Sequence, residues 1–134
     1  MSISLPYHLL FPWLAALLVS LFGLWKRKSS QHELRRKLFW NSVVVFSGAY
    51  MLIVGMAIYY DLYYQWDLNR YDLDHDGFFG GDEITRDQEE AMNRLINDVG
   101  RNLTPIAGLW YSGILAIVFY LVSRIVFDQR TQDN

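Results

Sequence analysis

The sequence predicts an all-α integral membrane protein with three spanning helices, and three observations carry that expectation. Residues 7–25, 38–60 and 105–127 hold a single charge among them, Arg124. Aromatic residues crowd the ends of these segments, and the remaining charges gather in a basic connection and an acidic one. The segments are 19 to 23 residues long, so as helices they reach about 28–35 Å, enough for a hydrocarbon core of about 30 Å. The whole 134-residue chain is 52% hydrophobic, and its charged fraction of 19% falls below the quarter usual in soluble domains. A lone soluble globule and a disordered chain are therefore excluded. The absence of cysteine excludes disulfides, zinc-thiolate sites and iron–sulfur clusters and leaves the redox compartment open. A net charge of −2 offers no basic surface, so nucleic acid is not an expected partner.

Residues 7–25 form the first expected span. A cleaved secretory signal would carry positive charge before its apolar run and a small-residue site after it. Here Met1 to His8 contains no Lys or Arg, and the run ends in Trp25-Lys26-Arg27-Lys28, which favours a retained helix. Residues 26–37 follow as a basic loop whose six cations, Lys26, Arg27, Lys28, Arg35, Arg36 and Lys37, place it on the cytoplasmic side. The N-terminus is then outside. The second span, 38–60, returns outward, and residues 61–104 are extracytoplasmic. That segment holds eleven acidic residues against Arg70, Arg86, Arg94 and Arg101, and so few cations over its length agree with the outside assignment. The third span, 105–127, leads to a cytoplasmic tail, 128–134. The expected location is a plasma or inner membrane, with the C-terminus inside and the lipid bilayer as first partner.

Tyr7, Trp13, Trp25, Trp40, the group Tyr59, Tyr60, Tyr63, Tyr64 and Trp66, and then Trp110 and Tyr111 mark the boundaries as interfacial belts do. Trp13 and Trp110 lie a turn or more inside their spans, where packing between helices is an equal alternative. Arg124 lies near the cytoplasmic end and can snorkel to the headgroups. His8, His32 and His75 all fall outside the spans, so no histidine pair can clamp a haem between helices, and neither an electron carrier nor a proton pump is expected. Gly108, Ser112 and Ala116 on the third span, Ala16 and Ser20 on the first, and the weaker pair Gly48 and Gly55 on the second permit close helix approach. They are expected to pack within the three-helix bundle, with a face for a partner as the alternative.

The most informative stretch is Asp72-Leu73-Asp74-His75-Asp76-Gly77-Phe78-Phe79-Gly80-Gly81-Asp82-Glu83. Acidic residues stand at its positions 1, 3, 5 and 12, glycine at 6 and an apolar residue at 8. A hard dication needs six to eight oxygens at about 2.3–2.6 Å, and alternate residues of a tight loop direct their carboxylates to one centre. A random chain of this length would match the pattern with a probability on the order of one in a few thousand. A solvated polar turn would also favour Asp and Gly, but it has no use for this alternation. The stretch resembles the calcium loop of the EF-hand family, over about residues 60–100 with its flanks. That resemblance implies Ca2+ as the cofactor, held by Asp72, Asp74, Asp76, the carbonyl of Phe78, a water in the space left by Gly80, and both oxygens of Glu83. His75 is expected to face solvent.

The flanks suit a helix-loop-helix. Leu62, Trp66 and Tyr71 lie near one face of a continuation of the second span, and Ile84, Met92, Leu95 and Val99 form the stripe of an amphipathic exit helix. EF-hands ordinarily pair, and this chain has no second loop; the cluster from Asn97 to Asn102 lacks the alternation. The loop must pair with another chain, pair with itself in a homo-oligomer, or be braced by its two spans. The expected function is a calcium-binding accessory or regulatory subunit of a membrane protein complex, the ion ordering an extracytoplasmic docking element. Other membrane subunits or further copies of the chain are the expected partners. The alternative is a small transporter or channel component in which Asp61 and the acidic loop concentrate cations at a mouth. An enzyme is not expected, because the one carboxylate cluster is committed to a metal with no open position for substrate.

Overall fold

The computed structural model describes residues 3–30 and 33–132; His32 and the last two residues of the expected tail lie outside them. Among the described residues there are four α-helices, α1 (Tyr7–Ser29), α2 (Leu34–Asn69), α3 (Arg86–Ile96) and α4 (Val99–Gln132), a single 3-10 turn at Gly81–Glu83, and no strand. Three of them, α1, α2 and α4, contain stretches long and apolar enough to cross a membrane.

The helices run beyond the expected spans. Lys26, Arg27 and Lys28 occupy the last turn of α1, where cations meet the negative end of the helix dipole. Arg35, Arg36 and Lys37 belong to the start of α2, and Arg36 pairs with the exposed Glu33 at 3.1 Å. The two helices thus take up both ends of the twelve-residue basic stretch, because Lys and Arg are good helix formers. At the other end α2 continues nine residues past Tyr60 to Asn69. Its 36 residues extend about 54 Å at the helical rise, longer than a hydrocarbon core of about 30 Å. Helix α4 begins at Val99 rather than Pro105 because Asp98 caps it. The Asp98 carboxylate accepts the Arg101 N–H at 2.9 Å, and its carbonyl accepts that of Asn102 at 3.5 Å, the arrangement of an N-cap residue.

Helix α2 lies between α1 and α4, which scarcely touch each other. The buried core joins α1 to α2 through Leu9, Ala16, Tyr50, Val54 and Ala57, with Trp13, Met51 and Ile58 packed against it. Trp13 is a packing residue: its indole N–H donates to the Met51 carbonyl at 3.0 Å. Gly55 makes that approach possible, since a Cβ there would lie 3.3 Å from the indole nitrogen. Trp110 points outward and is largely exposed. Of the expected small-residue contacts, Gly108 packs under the Tyr50 ring and Ser112 is fully buried, its hydroxyl donating to the Gly108 carbonyl, whereas Gly48 faces open space. Gly23, which the spacing did not single out, sits against Val43 and Val44.

The outer faces of α1 and α4 expose large apolar side chains along their length, among them Phe11, Leu18, Ile106 and Ile117. Water would make such a surface costly, at about 25 cal/mol per Å²; hydrocarbon would not. Helix α4 approaches α2 closely at Gly108, where a Cβ would meet Tyr50 Cδ2 and Cε2 at 3.3 Å. Gly108→Leu should therefore overpack the contact and destabilise the chain by about 1–3 kcal/mol. Thermal unfolding in detergent measures this; an unchanged midpoint would show that α4 does not pack through Gly108.

Candidate metal centre

Helix α2 ends where tightening turn bonds replace helical ones: Arg70, Tyr71 and Asp72 donate their N–H groups to Asp67, Leu68 and Asn69. This brings Asp72 to the base of the loop, 1% exposed. The chain then alternates. His75 has φ 63° and Gly77 φ 87°, so Asp76 is flanked by two left-handed residues. Glycine adopts that region freely and histidine is among the side chains that tolerate it. His75 is exposed, as expected.

Local hydrogen bonds fix the three aspartates. Asp72 Oδ1 accepts from the Gly77 N–H at 3.5 Å, Asp74 Oδ1 from the Asp76 N–H at 3.1 Å, and Asp76 Oδ1 from the Phe78 N–H at 2.7 Å. These are the side chain to backbone bonds that make Asp a turn residue. Here they also converge: one carboxylate oxygen from each of Asp72, Asp74 and Asp76 lies within 4.8 Å of the other two. Three like charges at that spacing repel one another, and a hard cation among them turns the repulsion into attraction.

The other three expected ligands stand differently. Glu83 lies in the 3-10 turn and folds back over the loop, with Oε1 accepting the N–H groups of Leu73 at 2.7 Å and Asp74 at 3.3 Å, and Oε2 that of Gly80 at 3.2 Å. It is thus tied to the loop backbone rather than grouped with the aspartates. To supply both oxygens to an ion it must exchange those amide bonds for the metal. Phe78 gives its N–H to Asp76 and is 78% exposed as a residue. Gly80 donates to Glu83 and is exposed.

Helix α3 starts crisply. The Thr85 hydroxyl accepts the Gln88 N–H at 3.2 Å, and Asp87 and Glu89 occupy the first turn, both favourable at a helix N-terminus. Its buried face differs from the expected stripe. Gln88 and Ala91 are buried and Met92 and Leu95 half-buried, whereas Ile84 precedes the cap and Val99 begins the next helix, both exposed. On the continuation of α2 the inward residues are Asp61 and Leu68, seven apart, while Trp66 is exposed.

Beneath the loop lies a polar network that the hydrophobic pattern did not reveal. Arg101 and Asp61 pair at 3.1 Å, with side chains only 5% and 10% exposed. The Arg101 Nη2 donates to the Leu95 carbonyl near the end of α3, and its guanidinium lies over the Tyr64 ring at 5.4 Å. Asp61 Oδ2 accepts from Gln65 Nε2 at 2.8 Å, and Gln65 in turn bonds Ser4, accepting its N–H at 2.8 Å and donating to its carbonyl at 3.0 Å. One chain of contacts joins the N-terminal segment, α2, α3 and α4. A signal for it was present: Asp61 stands one residue beyond the second span and Arg101 four before the third, so opposite charges emerge at nearly equal height.

No family model matches the chain, and no curated protein or solved structure is similar to it. The likeness to EF-hands therefore rests on the loop residues themselves.

Proposed function

We propose that the protein is a calcium-binding accessory subunit of a membrane complex, its three long helices spanning the bilayer and its α2–loop–α3 hairpin presenting a docking element outside. The observation that carries this reading is the convergence of the Asp72, Asp74 and Asp76 carboxylates within 4.8 Å in a loop whose sequence alternates as a calcium ligand set requires. Glu83 would complete the shell on leaving the Leu73 and Asp74 amides. Leu73, Phe78 and Ile84 are exposed around the loop, an apolar set suited to a protein partner. The alternative of a cation-conducting component loses one of its charges, since Asp61 is neutralised by Arg101.

The ion would act as a clasp between α2 and α3. Extracellular modules bind calcium at about 0.1–1 mM; with roughly 1 mM ion and a dissociation constant near 0.1 mM, linkage contributes about 1.4 kcal/mol to the ordered hairpin. That suffices for a local element and is small beside the free energy of membrane insertion. Purification from native membranes tests the reading. A companion protein should be retained in calcium, and lost both on chelation and in Phe78→Ser, while the isolated chain conducts no ions in liposomes. Retention indifferent to both changes, or conduction by the chain alone, would contradict it.

Orientation has its own test, made clean by the lack of native cysteine. Single cysteines at Ser29, the end of α1, and at Asn93, exposed on α3, should differ in intact cells, an impermeant reagent labelling only Asn93→Cys. Labelling of Ser29→Cys instead would turn the loop to the cytosol.

A further inference from the structure

We propose that the furrow between the basic end of α1 and the start of α2 holds one anionic phospholipid, its phosphate at the mouth and an acyl chain running along the helices into the bilayer. This rests on the chain being embedded in a membrane and not on the loop binding calcium.

Two hollows that share Arg27 make the furrow. The outer one, about 290 Å³, is lined by Arg27 and Lys28 in the last turn of α1 and by Lys37 in the first turn of α2. The inner one, about 230 Å³, is lined by Asn41, Val44 and Val45 of α2, with Arg27 and Phe119 of α4 beside them. Lys37, Asn41 and the two valines follow one another along one face of α2 at helical spacing. The lining therefore passes from cation to amide to hydrocarbon within about two turns. A lipid at the end of a span presents phosphate, glycerol ester and acyl chain in that same order. Gly23 holds the walls together just inside the mouth, since a Cβ there would lie 3.2 Å from Val44 Cγ2.

The polar groups of the furrow are accessible and unpartnered. Arg27 and Lys28 are exposed, and Lys37 and Asn41 are half-buried. Among the described residues, none of these four side chains makes a hydrogen bond or an ion pair. Two neighbouring cations are engaged elsewhere: Lys26 lies over the Phe22 and Trp25 rings, and Arg36 pairs with Glu33. Charge and polarity together select the occupant. Three cations with no carboxylate against them call for an anion, the Asn41 amide for an ester oxygen, and the valines for hydrocarbon. A phospholipid of net negative charge supplies all three. A soluble phosphate leaves the apolar half unfilled, and a zwitterionic lipid brings a further cation to a site that already has three.

Native mass spectrometry of the full chain in detergent, with calcium chelated and equal amounts of dioleoyl phosphatidylglycerol and dioleoyl phosphatidylcholine added, reads the preference directly. The glycerol lipid should be enriched about tenfold in the first adduct, the effect of one or two basic residues facing an anionic lipid. Arg27→Gln with Lys37→Gln should abolish the enrichment. Lys26→Gln with Arg35→Gln removes the same charge from the same stretch but touches neither hollow, and should keep it. An excess of glycerol 3-phosphate should not displace the lipid. Equal binding of the two lipids, equal losses in the two double variants, or displacement by the soluble phosphate would overturn the proposal. A chain that stays soluble and monodisperse without detergent would instead overturn the membrane reading beneath it.

Discussion

Arg101→Ala is expected to destabilise the protein by about 3–5 kcal/mol, the penalty for leaving the partner of a buried ion pair uncompensated. Asp61 would keep only the Gln65 amide, in a site closed by α2, α4 and the N-terminal segment. Asp61→Ala should cost a similar amount, because it strands a guanidinium already short of acceptors. The two losses are not independent. Replacing both partners by apolar residues, Asp61→Leu with Arg101→Met, should destabilise far less than the sum, since the charges that needed each other are gone together. Thermal unfolding of the wild type, Asp61→Leu, Arg101→Met and the double variant in one detergent closes the cycle and gives the comparison. Additive losses would show that Arg101 and Asp61 act separately. Hydrogen exchange should place the damage at the outer ends of α2, α3 and α4 and at Ser4, the elements the network joins.

Glu83→Gln should lower calcium affinity by about 100-fold and leave magnesium binding little changed, because the wide calcium shell needs a bidentate carboxylate and compact octahedral magnesium does not. The fold of the loop should survive. The Gln carbonyl can still accept one of the amides that Oε1 now takes from Leu73 and Asp74; what is lost is the second oxygen and the charge. Asp72→Asn should also weaken binding, since it removes a charge from the convergent three. His75→Asn is the matched control: it keeps a residue tolerant of φ 63° and touches no expected ligand. Calorimetry of the four chains decides. Equal calcium affinity in the wild type and Glu83→Gln would leave Glu83 as a backbone cap and nothing more.

What could be read from the sequence was what composition and period control directly. Three apolar stretches became three long helices because nothing within them competes with helical hydrogen bonding, and the acidic loop converges because Asp at alternate positions bonds the backbone just ahead of it. What escaped was decided by contacts distant in sequence. Charged residues such as Lys26 and Arg35 mark where apolar character ends, not where a helix ends. Val99 looked like part of the exit helix by spacing, but Asp98 caps a new one. Asp61 looked like a free acidic group at a mouth until the fold brought Arg101, forty residues later, to within 3.1 Å. Trp13 was ambiguous because its role depends on Gly55 of another helix. Glu83 was placed by its loop position, yet its carboxylate is drawn to three backbone amides whose directions the motif does not encode.

Hydrogen exchange of the full chain in lipid nanodiscs, with calcium, with magnesium and with chelator, tests most directly whether the acidic loop is a calcium clasp. Protection should rise with calcium across residues 67–100, rise much less with magnesium, and stay unchanged in residues 7–25, whose packing against α2 does not involve the loop. Exchange in 67–100 that ignores calcium, or a loss of protection through all three long helices on chelation, would contradict the account.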